Sequence, residues 1–489
     1  MISTNILLMF RLLILSCIFT LSQIAIAQPL LPAFTYSTNT ALNTSSTKEI
    51  TSEPALQSWP IITNHQLCLL GIGQQFSVLL PTGEKILAEV TSAIKHLNQD
   101  IQLISKTDDG GKIVLTVGTS SIYGSINSGS NSYSITTIDQ RTTLINNRSL
   151  LNSVALNKDF ITPPNTLDFR TAKFTRDLNV LSNRSANSSS KTNIDILFVY
   201  SAEFAEMFDS PETRINQLIS FTNTAFEDSG ILINLRLADA VEMDFENVTL
   251  DLYYDDGDDT TSNDGYTKLD NDLRNVINNA ADGLNDFSAI PSLRDNAGAD
   301  LVTVLSANTN TSLATGKSFL LNGHSQYGIS TVMLSEDCCD SVFAHEIGHN
   351  FGSEHAHVTG CNGGYTGYAC GHAQSSYQWG TIMSNLNSSP INFLFSNLDT
   401  DCLGEPCGIA EEEPFAADNK SSFNITRFLV SEFREEVLKP TRPSNPTPIN
   451  TDFGWLPNVL YNLLLIDDVY LLDEPKDDST PESKSANEI

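Results

Sequence analysis

The sequence predicts an α/β layered domain with a mixed, mostly parallel sheet, preceded by a segment of short β-strands. Three observations predict it. Between 193 and 437, runs of β-branched and aromatic residues alternate with stretches whose apolar residues recur at helical spacing, the pattern of parallel strands joined by helices. From about 66 to 160, short strands are separated by glycine-bearing turns. The third is an eleven-residue histidine motif on a helix that comes after the last strand of the alternating region.

The chain of 489 residues opens with a short polar segment, Arg11, the apolar run Leu12 to Leu21, and Ala25-Ile26-Ala27 just before Gln28. This order predicts a secretory signal peptide over 1–27. A lipid-attachment reading at Cys17 is disfavoured by bulky Leu15. No later stretch approaches the roughly 20 apolar residues that span a bilayer, so export without stable membrane insertion is expected. Residues 28–192 are expected to hold a β-rich segment and a linker. Residues 28–60, rich in Thr, Ser, Asn and Pro, read as a poorly ordered lead-in. Phe76 to Leu80 reads as a strand ending at Pro81-Thr82-Gly83, and Lys85 to Thr91 resumes. Asp108-Asp109-Gly110-Gly111 is a hairpin turn before the strand Lys112 to Val117, and Gly118, Gly124 and Gly129 punctuate the strands after it. Residues 161–192 read as the linker, and Asn187-Ser188-Ser189-Ser190 as an exposed stretch where a protease would cut.

Within 193–437, Ile194 to Tyr200 reads as a buried strand. Ile215, Leu218, Ile219, Thr222 and Phe226 define a helix closed by Ser229-Gly230. Ile231 to Ala240 is the next strand, Leu269 to Leu284 a second long helix, and Ala299 to Leu305 a third strand. Gly328 to Met333 is a further strand, expected at the sheet edge where an extended peptide would add. Asp340 or Ser341 would cap the next helix, and a last helix is expected over Asn419 to Arg434. Residues 438–489 form a Pro-rich linker and an acidic tail.

Charge and cysteine usage narrow the classes. With 58 acidic against 27 basic residues, the net charge of −31 argues against nucleic acid as a partner. The acidic stretch Asp251 to Asp270 invites Ca2+ but does not match a calcium-loop pattern, and a solvated loop is the better reading. Cys338, Cys339, Cys361, Cys370, Cys402 and Cys407 form an even set, expected as disulfides in an exported chain. Adjacent Cys338 and Cys339 are expected to pair with Cys361 and Cys370, and Cys402 with Cys407. Cys68 stands apart; its thiolate is one candidate to block an open metal position, against the plainer reading of a buried structural cysteine.

The motif itself is His345-Glu346-Ile347-Gly348-His349-Asn350-Phe351-Gly352-Ser353-Glu354-His355. Residues four apart share a helix face, so His345 and His349 can offer their imidazoles to one ion. Gly352 lets the chain turn out of the helix, which can bring His355 back as a third ligand. Three protein ligands leave a fourth position for water, the arrangement of catalytic rather than structural zinc. Glu346 lies beside the metal, where a general base is wanted.

With Thr381-Ile382-Met383 downstream, the extended motif resembles the metzincin metalloproteases, and within them the adamalysin, or reprolysin-like, branch in a secreted bacterial form. Ala299-Asp300-Leu301-Val302 and the segment Phe395 to Gly408 are similar to that branch as well, and the likeness spans roughly 193–437. The resemblance implies a metzincin-type catalytic domain with zinc on its central helix, His345, His349 and His355 as ligands, Glu346 as base and Met383 as the Met-turn beneath the metal. It implies a secreted zinc endopeptidase made as a zymogen, with an inhibitory propeptide in the β-rich segment, acting on protein or peptide substrates as a monomer. Asn385 stands where some metzincins carry a tyrosine that reaches zinc, so no tyrosine switch is expected. A metzincin-fold adhesion protein is the alternative, disfavoured by the intact Glu346, and a non-proteolytic zinc hydrolase is disfavoured by Gly352 and Met383.

Overall fold

The computed structural model describes residues 30–37, 57–129, 131–147, 159–163, 172–250, 264–309, 314–337, 339–374, 379–385, 393–402 and 404–437. The expected signal peptide, most of the acidic stretch, Cys338 and the C-terminal tail therefore lie outside the described residues.

The N-terminal part is built from antiparallel neighbours. Strands β3 (Ser58–Thr63), β4 (Gln75–Leu79), β5 (Lys85–Lys95), β6 (Ile101–Thr107), β7 (Lys112–Val117), β8 (Ile122–Ser128), β9 (Asn131–Ile138) and β10 (Arg141–Asn146) belong to one sheet. β4 to β9 each pair with their successor, and β10 pairs with β3. The expected lead-in contributes two further pieces, β1 (Leu31–Pro32) and β2 (Phe34–Tyr36), which pair with β4 and β3. Ala33 between them donates its N–H to Ser77 O and accepts from Asn64 N–H, so one kinked strand joins the two ends and the sheet closes on itself. Alternate residues point inward, and Phe76, Val78, Ile86, Leu103, Ile113, Leu115, Ile126 and Leu144 fill the interior.

The second part is a six-stranded sheet of β11 (Phe160–Ile161), β12 (Thr192–Tyr200), β13 (Ile233–Glu242), β14 (Leu301–Asn308), β15 (Thr315–Phe319) and β16 (Ile329–Ser335), in the order β11-β15-β16-β14-β12-β13. β13, β12, β14 and β16 run parallel, and β15 runs antiparallel to β16. The mixed, mostly parallel sheet matches the expectation. Its central strands are near-continuous apolar runs because both faces are covered. The α-helices among the described residues are α1 (Ala172–Ala186), α2 (Ala202–Met207), α3 (Pro211–Asp228), α4 (Asp264–Asp282), α5 (Ile290–Ala297), α6 (Asp340–Asn350) and α7 (Asn419–Val430).

Three expectations are corrected. The strand at Gly328 to Met333 is interior, because β15 pairs along it; its Thr-Gly-Lys-Ser-Phe sequence carries no strand alternation. The 161–192 segment is not a plain linker. It contains α1, which packs on α7, and Arg427 holds the carbonyls of Ser188 and Ser190 although those side chains are at least partly exposed. Cys361 pairs with Cys370, so neither is available to Cys338 or Cys339; their Cα atoms lie 6.0 Å apart, within disulfide reach. Cys402 and Cys407 pair as expected, and Cys339 is disulfide-bonded.

α3 lies between the two parts, with most of its side chains buried. Its apolar residues face the parallel sheet, and its polar ones meet the barrel: Gln217 with Thr116, and Thr213 and Asn216 with Asp100. No helix among the described residues is long and apolar enough to cross a membrane.

Candidate metal centre

α6 enters the centre from a buried polar knot. Its N-cap residue, Cys339, makes no side-chain capping bond, and neither Asp340 nor Ser341 is the cap; the helix begins at Asp340. The Asp340 carboxylate sits in the first turn, where the helix dipole favours negative charge. It accepts from Arg214 at 2.5 Å, Gln217 at 2.8 Å and Ser125 of β8 at 2.6 Å. Phe343, Ile347 and Phe351 anchor the helix in the core beneath the sheet.

One helical turn apart, His345 and His349 present their rings to the same side. Gly352 adopts φ +97°, a left-handed conformation that suits glycine, and the chain then carries His355 back toward them. The Nε2 atoms of His345 and His355 come to 3.3 Å. Each remaining ring nitrogen is engaged: Nδ1 of His345 with Ile382 O at 2.7 Å, Nδ1 of His349 with Ser353 O at 2.6 Å, and Nδ1 of His355 with the Asn385 amide at 3.2 Å. A carbonyl can only accept, so Nδ1 of His345 and of His349 holds a proton and Nε2 is the nitrogen that faces inward.

A fourth group fills the space between them. Asp159 Oδ1 lies 2.6 Å from His355 Nε2 and 3.1 Å from His349 Nε2, and its Oδ2 lies 3.3 Å from His345 Nε2. Four ligand atoms, all buried, thus lie within 4.8 Å of one another. Asp159 is held there by β11, whose Phe160 and Ile161 pair in parallel with Ser318 and Phe319 of β15. Ser318 N–H donates to Asp159 O, and the Phe160 ring packs against His349 and His355 at 5.0 and 5.4 Å.

Charge in this buried cluster is strongly perturbed. Burial pulls His349 down to about 4, so it is neutral at neutral pH. Burial opposes the charge on Asp159, but the charges of His355 and His345 outweigh it and hold the carboxyl well below its usual range. For Glu346, burial comes first and the Asp159 charge second, and together they push its carboxyl well above the usual range. Its Oε2 is buried with no hydrogen-bond partner among the described residues. Three inward-facing Nε2 atoms, an ionised carboxylate and an unsatisfied Glu346 oxygen are the donor chemistry a divalent cation of the zinc type requires, once the ion displaces any Nε2 proton. The residues fit the ion that the motif implies.

Met383 is fully buried beneath α6, with its sulfur against Gly348. Cys68 is placed elsewhere: its thiol packs against the barrel interior and donates to His65 O at 2.9 Å. The group at the histidines is Asp159, which sequence reading missed because it stands 190 residues before His349 with no fixed spacing to mark it. The one signal for it was an acidic residue ahead of Phe160-Ile161, a short β-prone run where the expected β-rich segment meets the expected linker. No calcium site is formed by the described part of the acidic stretch, where Asp270 pairs with Lys317 and Arg274.

Residues 190–396 match the family described as Metallo-peptidase family M12, in its reprolysin-like form, and residues 44–151 match a BamI lipocalin-like domain. A curated relative, the peptidyl-Asp metalloendopeptidase of Pseudomonas aeruginosa, is 24% identical over 305 residues. That match takes in 55% of this chain, which spans about half, 46%, of the relative's length. Among solved structures, metalloproteinase-II from Bacteroides fragilis aligns over 66% of this chain and 88% of its own, at 11% identity and a TM-score of 0.37. A chaperone–substrate complex aligns over 64% of this chain and 44% of its own, at 15% identity and the same score. At that score neither bears on the fold.

Proposed function

We propose, from the premise that residues 190–396 belong to the reprolysin-like metallopeptidases of family M12, that the chain is the exported precursor of a zinc endopeptidase, held latent by Asp159. The observation that carries this reading is the convergence of His345, His349 and His355 on one point, with the Glu346 carboxylate buried beside them.

Zinc held by the three histidines would supply Lewis-acid polarisation of a scissile carbonyl and acidify the attacking water. The remaining work falls to this chain's own groups. Glu346, buried beside the histidines, takes the proton of the water on a carboxylate oxygen and returns it to the leaving amine. Substrate lies extended along β15, on the edge that β11 covers in the precursor, so that main-chain hydrogen bonds fix its register. Met383 supplies an apolar floor under the histidines.

In the precursor, Asp159 takes the open position and Phe160 shields two of the histidines, so substrate and water are both excluded. The barrel and the segment to Asp159 act as an inhibitory propeptide, with Asp159 in the part considered for Cys68. The Pseudomonas relative is named for action at aspartyl peptides, which makes an Asp-containing fluorogenic peptide the first substrate to try beside casein.

The test is hydrolysis of these substrates by processed protein. A chelator should abolish activity and zinc restore it, and Glu346→Ala should bind zinc yet lose nearly all turnover. Substantial hydrolysis by Glu346→Ala would remove Glu346 as the base and sink this mechanism.

A further inference from the structure

We infer that Asn385 is the positioning residue for His355, doing with a side chain what main-chain carbonyls do for the other two histidines; this rests on the metal-centre reading above. His345 and His349 share one helix and have their Nδ1 atoms against Ile382 O and Ser353 O. His355 stands outside α6, beyond the Gly352 turn, and its Nδ1 meets the Asn385 amide instead. In the structure Asn385 Nδ2 is the atom 3.2 Å from His355 Nδ1. For Nε2 to face the ion with its lone pair, Nδ1 must carry the proton, so the amide turns over by half a rotation and presents its oxygen to His355 when the ion is bound.

The backbone suits the same residue. Asn385 ends the short turn that carries Met383 and has φ +50° and ψ +51°, the left-handed region that asparagine tolerates better than most residues. The turn and the His355 segment are also tied nearby, where the Thr359 hydroxyl lies within hydrogen-bond distance of Ser384 O and of Ala356 O. Asparagine therefore serves two needs that no aliphatic residue meets together, the left-handed turn and the acceptor for the third histidine. The position that holds a tyrosine in some metzincins holds here a group aimed at a ligand rather than at the metal.

The experiment separates the two needs. Zinc affinity of the full-length chain is measured by competition with a chromophoric chelator for wild type, Asn385→Gly, Asn385→Asp and His345→Ala, and the zinc-free melting temperature is recorded for each. Asn385→Gly keeps the left-handed turn and removes the acceptor; zinc affinity should fall roughly ten- to a hundredfold at an unchanged zinc-free melting temperature. Asn385→Asp restores an acceptor and should recover affinity. Wild-type affinity in Asn385→Gly, or no recovery in Asn385→Asp, overturns the inference while leaving the metal centre standing. Equal zinc binding by wild type and His345→Ala instead removes the metal centre, and the role of Asn385 with it.

Discussion

Gly316 lies so close to Glu346 that a methyl group on its Cα would stand 2.6 Å from Glu346 Oε1 and 2.5 Å from Cγ. Strand β15 thus offers bare backbone to the carboxylate proposed as general base. Gly316→Ala should displace that carboxylate by several tenths of an ångström or more, and displacements near 1 Å cost about a hundredfold in rate. The expected outcome is a kcat/KM of processed enzyme lowered by about that factor, with zinc affinity retained. Steady-state kinetics beside a zinc titration checks it, and an unchanged rate would show that the contact relaxes harmlessly.

Removing Asp159 should end latency. Asp159→Ala empties the space between the three histidines while leaving β11 its main-chain bonds to β15. The uncut variant should hydrolyse a small fluorogenic peptide that the uncut wild-type chain leaves intact. Gel analysis at each time point confirms that the chain is uncut. If the intact variant is as silent as wild type, the barrier lies in Phe160 and β11 rather than in the carboxylate.

The Arg214–Asp340 pair is almost wholly buried, at 7% and 5% side-chain exposure. Asp340→Ala leaves the guanidinium uncompensated and should cost about 3–5 kcal/mol. Ser125→Ala removes one hydrogen bond to the same carboxylate and should cost only about 1 kcal/mol. Urea unfolding of the precursor, made inactive by Glu346→Ala, measures both, and equal losses would contradict the ranking.

Asp300 gives a pH signature away from the metal centre. Burial, against the opposing N–H bonds from Asp195 and Arg434, raises its carboxyl to about 7. An unfolded aspartate titrates near ~3.9. A raised folded value means that its contribution to stability is complete below about pH 4 and is lost as pH rises through about 7. The difference in unfolding free energy between wild type and Asp300→Asn should therefore drift across pH 4 to 7 and level off above. A difference constant with pH would rule the group out as a source of that slope.

The active form should retain α1. Arg184 pairs with Glu432 and lies over the Phe428 ring, and Arg427 grips the carbonyls of Ser188 and Ser190. A cut at 187–190 would separate α1 from the strand it leads into. N-terminal sequencing of the active band should thus read a residue before Ala172; a start at 187–191 would show that these contacts do not protect the segment.

Much of this was legible in the sequence for a physical reason. β12, β14 and β16 are covered on both faces, so each announces itself as a mainly apolar, β-branched run, with a few buried Ser and Thr among its residues. The three histidines and Glu346 lie within eleven residues because a helix and one glycine turn suffice to gather them. What stayed hidden depends on tertiary context. β15 has Gly316 against Glu346 and Lys317 fully buried on Asp270, residues that no strand pattern favours. α1 does carry Phe174, Leu178 and Leu181 at helical spacing, but its Asn, Ser and Arg content makes it read as linker. β1 and β2 are too short to register, and they matter only because they meet both ends of one sheet. Asp159 acquires its meaning from the pairing of β11 with β15, which local sequence does not encode.

Closure of the barrel by Leu31 to Tyr36 governs the fate of the N-terminal part once the chain is cut. A closed sheet exposes no row of unpaired main-chain groups, so a barrel severed from the rest has reason to stay folded rather than aggregate. It would then keep the surface that meets Gln217, Thr213 and Asp340. Tethered, that surface acts at an effective concentration on the order of millimolar; severed, it must compete at whatever concentration surrounds it. Dilution after release would then complete the activation, and a crowded setting would delay it.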